Sequence, residues 1–127
     1  MSRFAALAGV ALLVAGLSGA AKADEYLGSY VARISHHDHF ASDGYPLDTA
    51  AQMVRQDRAN FHKFRLRDRE DQPDRWFRSA ESRARLERML RRPGAITGPV
   101  RRAILNGESL IQVDVYTRSV EVILLRR

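Results

Sequence analysis

Apolar and polar positions alternate along this chain in several short, distinct patterns. The clearest is Thr49 to Phe64, TAAQMVRQDRANFHKF. At about 100° per residue, Ala50, Met53, Val54, Phe61 and Phe64 share one arc roughly 100° wide, the stripe of a helix facing a core. Gln52, Arg55, Gln56, Ala59, His62 and Lys63 lie on the other sides, with Arg58 and Asn60 flanking the arc. Thr49 with Gln52 three residues on forms an N-terminal capping box. Asp57 falls in the middle of the apolar arc. The segment therefore predicts an amphipathic helix with a carboxylate on its buried face.

Ahead of it, Ser29–Ser35 alternates, with Tyr30, Ala32 and Ile34 on one side, and predicts a strand. His36-His37-Asp38-His39 and the turn Ser42-Asp43-Gly44-Tyr45-Pro46 lead into the helix. Ser79 caps a second helix to about Arg91, with Leu86, Met89 and Leu90 on one side, and Pro93-Gly94 ends it. Gly98-Pro99 opens a shorter third helix, stopped by Asn106-Gly107. Ile111, Val113 and Val115, then Val120, Val122 and Leu124, predict a hairpin around Thr117-Arg118-Ser119. Pairing Tyr116 with Glu121 sets Val115 against Val122 and Val113 against Leu124. The order β-α-α-α-β-β implies an α+β fold, with three helices on one face of a small antiparallel sheet.

The N-terminal pattern is of another kind. Arg3 precedes an apolar run from Phe4 to Leu17, and Ala21-Lys22-Ala23 has the form of a cleavage site, so residues 1–23 read as a secretory signal peptide. The run is short for a membrane span, which needs about 20 residues. No integral span is expected after cleavage. Residues 24–127 would form one small domain, periplasmic or secreted. The chain has no cysteine, which excludes disulfides, thiol nucleophiles and cysteine-based zinc sites.

Charge is uneven. The chain has 19 arginines and 2 lysines. Residues 78–102 hold eight arginines against Glu81 and Glu87, a net of +6. Arg65–Arg75 has four arginines and four acids, a net of zero, and reads as a self-neutralising linker, with Trp76-Phe77 pinning the chain back onto the core.

Three groups carry candidate chemistry. Asp57 is a buried polar anchor, paired or hydrogen-bonded because an isolated buried carboxylate is too unfavourable; with a second polar group such as Arg58 or Asn60 it would instead suit an acid–base enzyme, hydrolase-like or other. His37 and His39 point the same way in an extended chain and suit zinc, copper or nickel, though outside the run His36–His39 only His62 remains. Arg91 and Arg92 end the second helix, and Arg101 and Arg102 stand near the start of the third; together they form a candidate anion site. No nucleophile motif, glycine-rich phosphate loop or HExxH motif appears, no cofactor is implied, and no basic stripe with interleaved aromatics points to nucleic acid.

The segment Arg55–Phe64, RQDRANFHKF, resembles one found in small exported bacterial proteins of unknown role. The resemblance runs from the first strand to the hairpin and implies export and a single domain, with no activity or partner attached. The reading is a small exported binding protein whose arginine-rich face meets an anionic envelope component or an acidic protein. An enzyme built on Asp57 and a histidine-based metal binder are the alternatives.

Overall fold

The computed structural model describes residues 23–127; the signal-peptide segment lies, but for Ala23, outside them. The fold is α+β. Three antiparallel strands, β1 (Tyr26–Ile34), β2 (Ser109–Tyr116) and β3 (Val120–Arg126), pair in that order across the sheet. Between β1 and β2 come a 3-10 turn at His36–His39 and three helices, α1 (Ala50–Ala59), α2 (Ala80–Leu90) and α3 (Gly98–Leu105).

Period-two alternation places Tyr30, Ala32 and Ile34 of β1, Ile111, Val113 and Val115 of β2, and Val120 and Val122 of β3 in one core. Val54 of α1, Leu86 and Leu90 of α2, and Ile104 of α3 join the same core. Each of those four side chains is at most 1% exposed. The caps are as the sequence implies. Thr49 Oγ1 accepts from the Gln52 N–H at 3.1 Å, and Gln52 Oε1 accepts from the Thr49 N–H at 3.2 Å. Ser79 Oγ accepts from the Ser82 N–H at 3.0 Å. The third helix is capped one residue earlier than Gly98, at Thr97.

The hairpin register differs from expectation by two residues. Asp114, not Tyr116, faces Glu121, so Val115 meets Val120 and Val113 meets Val122. Tyr116 N–H donates to Ser119 O at 2.9 Å, which leaves Thr117-Arg118 at the tip. A slip of two preserves which face every side chain takes, so aliphatic alternation does not distinguish the two registers. The Asp24 carboxylate also clamps the tip, accepting from Thr117 Oγ1 at 3.0 Å and from the Arg118 N–H at 2.8 Å.

The end of α1 also departs from expectation. After Ala59 the helix widens into a π turn, Asn60–Phe64, closed by Arg65 in the left-handed conformation at φ 60°. The wider turn lets later residues fall behind the apolar stripe. Phe61 stays buried, whereas Phe64, expected on the stripe, is 41% exposed.

The charge-balanced segment after Arg65 is more than a spacer. Gln72 N–H donates to Val31 O at 2.8 Å, Gln72 Oε1 accepts from the Val31 N–H at 3.0 Å, and Asp71 Oδ1 accepts from the Arg33 N–H at 2.9 Å. The free edge of β1 is thereby covered. Glu70 Oε2 holds the Arg33 guanidinium at 2.9 and 2.6 Å. Trp76 then lies across Gly28, where a Cβ would stand 2.9 Å from its Cη2. Phe77 is fully buried.

Candidate functional site

The centre of the polar interior is Arg58, which is fully buried. Its Nε donates to Asp57 Oδ2 at 2.8 Å, and its Nη1 to Asp74 Oδ2 and to Gln72 O, each at 2.9 Å. The guanidinium lies 4.0 Å from the Tyr30 ring centroid and 4.6 Å from that of Phe61. Arg67 stacks on the same Phe61 ring at 4.0 Å. A weakly hydrated planar cation suits this place between aromatic faces and carboxylates.

Asp57 and Asp74 share that one cation unequally. Asp74 accepts four hydrogen bonds: from Arg58, from His62 Nε2 at 2.7 Å, and from the backbone N–H groups of Trp76 and Phe77 at 2.8 and 2.7 Å. Burial pushes its carboxyl up, but His62 and Arg58 outweigh burial and hold it below its ordinary value. Asp57, 1% exposed, takes Arg58 Nε alone among the described residues. Burial raises its carboxyl well above the usual range; Arg58 opposes this and Asp38 adds to it. With one cation between two buried acids, the acid with fewer donors is the harder to ionise. His62 is held below its ordinary value, chiefly by burial, although Asp74 pulls the other way. Asp74 is already neutralised by Arg58, so a neutral imidazole donating from Nε2 satisfies both groups.

Asp57 is therefore sealed and paired. Arg58 and Asn60, the two candidate companions, are both turned inward. Asn60 Nδ2 donates to Asp38 Oδ1 at 2.9 Å, while Asn60 Oδ1 accepts from Gln56 Nε2 at 3.0 Å. His62, expected at the edge of the solvent side, is brought in to Asp74 by the π turn, with its side chain 10% exposed.

The histidine run is not extended. In the 3-10 turn at His36–His39, residues two apart point in different directions, so His37 and His39 do not form a pair. Among the described residues, His37 instead groups with Asp38 and Asp68. Asp38 is fully buried: Oδ2 accepts from the Ser35 N–H at 3.0 Å, closing the turn. Its carboxyl is pushed up to about 7, first by burial, then by the nearby Asp71 and Asp68 charges, against hydrogen bonds from Asn60 and Ser35.

The four candidate arginines do not converge as a set. Arg91 and Arg101 line one cavity of about 430 Å³ with Asp48, Thr49, Ala50 and Ala51 of the α1 N-terminus. Arg101 Nη2 donates to Ile96 O at 3.1 Å, and Arg91 pairs with Glu87. Arg92 reaches across to Arg118 O at the hairpin tip. Arg102 lines a separate cavity with Asn106, Glu108 and Arg127. Four positions on two helix ends are near in sequence, but each helix fans its side chains around its axis.

Compared with known families, with curated proteins and with solved structures, the chain matches none. The chemistry of the site rests on its own residues. No helix among the described residues is long and apolar enough to cross a membrane.

The residue that sequence reasoning missed is Asp74. Summing the charges of Arg65–Arg75 cancelled it against its neighbours. Its position two and three residues before Trp76 and Phe77 was the available signal: a short acid there folds back onto the following N–H groups.

Proposed function

We propose that the chain is a small exported binding protein that takes an anionic group at the cavity between α1, α2 and α3. In this reading the three helices pack on one face of the sheet, and their meeting point is the binding end. The partner is an anionic envelope component or an acidic protein. Export is part of this proposal and is read from the N-terminal pattern of residues 1–23.

One observation carries the reading: Arg91, the C-cap of α2, and Arg101 of α3 line the same cavity as the first turn of α1. A helix N-terminus carries partial positive charge and supplies N–H donors, and arginine adds bidentate ones. Both guanidiniums are solvent-accessible, so a ligand meets them without unfolding anything. Asp48, which also lines the cavity, carries charge of the opposite sense. An enzyme working through Asp57 is the weaker reading, because Asp57 and Arg58 are closed to solvent.

Retention of residues 24–127 on a phosphate-bearing resin tests it. Arg91→Gln/Arg101→Gln elutes at markedly lower salt than Arg92→Gln/Arg102→Gln, although both remove two charges. Equal losses in the two doublets would mean general charge attraction and would overturn the site.

A further inference from the structure

We propose a zinc-type metal site formed by His37, Asp38 and Asp68, separate from the anion cavity and independent of it. One ligand atom from each residue lies within 4.8 Å of the other two. His37 Nε2 is 3.5 Å from Asp38 Oδ1 and 3.5 Å from Asp68 Oδ2. Ligands at about 2.1 Å from a tetrahedral ion stand about 3.4 Å apart. Both histidine-to-carboxylate separations therefore suit one ion with little movement.

The set is nitrogen and oxygen, one imidazole and two carboxylates, which suits a borderline divalent cation and leaves a fourth position for water or a ligand. Neighbouring donors fix the carboxylates, two of them on the ligating oxygens Asp38 Oδ1 and Asp68 Oδ2 themselves. Asp38 accepts from Asn60 Nδ2 at 2.9 Å and from the Ser35 N–H at 3.0 Å. Asp68 Oδ2 accepts from Ser35 Oγ at 2.7 Å, and the Asp68 N–H donates to Asp71 Oδ2 at 2.7 Å. Such outer partners fix ligand orientation. Access is present as well: the His37 side chain is 34% exposed and that of Asp68 22%, whereas Asp38 is closed. The site joins the 3-10 turn to the segment after α1, 30 residues apart between 38 and 68, so an ion there would staple the two together.

The hydrogen-bonded reading competes. His37 already has Ser35 Oγ at 3.2 Å from Nε2, and the trio would then be a hydrogen-bonded polar knot with no affinity for metal. Calorimetric titration of residues 24–127 with zinc chloride separates the two. One saturable equivalent is expected, weakened at least tenfold by His37→Ala and by Asp68→Asn, and retained in His36→Ala/His39→Ala. Both single substitutions are at partly exposed side chains, and circular dichroism checks that each variant is folded. No saturable heat in the native chain, or binding that follows His36 and His39 instead, would overturn the site.

Discussion

Arg58 Nη1 donates to Asp74 Oδ2 at 2.9 Å with neither side chain exposed to solvent. This bond joins α1 to the segment that covers the edge of β1, and Asp74 passes the connection on to Trp76 and Phe77 through their N–H groups. Removing one partner of a buried pair leaves the other charged and unmatched. Arg58→Ala and Asp74→Ala should therefore each lower unfolding stability by about 3–5 kcal/mol, read by urea denaturation. A loss below 1 kcal/mol would show that the pair is solvated in solution.

Asp57 is expected to behave oppositely to Asp74. Asparagine resembles a protonated aspartate and still offers an oxygen to Arg58 Nε. Asp57→Asn should leave stability at neutral pH within about 1 kcal/mol of the native chain or raise it. Asp74→Asn removes a charged acceptor with four donors and should be clearly destabilising. Equal losses in the two variants would contradict the unequal sharing of Arg58.

The direction of the Asp57 shift fixes a pH dependence. Its folded-state pKa lies above the unfolded value, so between the two the folded chain binds more protons and stability falls as pH rises. Asp38, raised to about 7, acts with the same sign over the window from about 4 to 7. His62 is lowered and acts oppositely below its ordinary value of 6.5, as does Asp74 below 3.8. Denaturation midpoints should fall from pH 5 toward pH 7, and Asp57→Asn should flatten the slope. A midpoint that climbs steadily over this range would contradict the assignment.

Gly28 is fixed by its neighbour. Its φ of 151° and the 2.9 Å approach of Trp76 Cη2 to a would-be Cβ leave no room for a side chain. Gly28→Ala should lose about 1–3 kcal/mol and alter the fluorescence of the one tryptophan. Trimming the ring by Trp76→Leu should make the same alanine less harmful, a non-additivity that a double-mutant cycle reads directly.

The fold was more legible in the sequence than the site. Strand faces and helix caps depend on neighbours within a few positions, which is why Tyr30, Ala32 and Ile34, the Thr49–Gln52 box and the Ser79 cap fall where patterning puts them. The hairpin register escaped because alternation is blind to a shift of two. Phe64 escaped because a fixed 100° step cannot register a π turn. The polar interior was half legible: Asp57 in an apolar arc announced a buried charge, but its arrangement depends on Arg58 turning inward and on Asp74 arriving from 16 residues away. The histidines were misplaced for a similar reason. Asp38 closes a turn that redirects His37 toward Asp68, a contact between residues 31 apart in sequence.

The anion cavity is tested most directly by two-dimensional NMR of residues 24–127 titrated with inorganic phosphate, following backbone amides and arginine Nε–Hε signals. Saturable shifts are expected at Thr49, Ala50, Ala51, Arg91 and Arg101, with Arg92 and Arg102 little moved. No saturable shift at all, or shifts spread evenly over the arginines of both helices, would contradict the proposal.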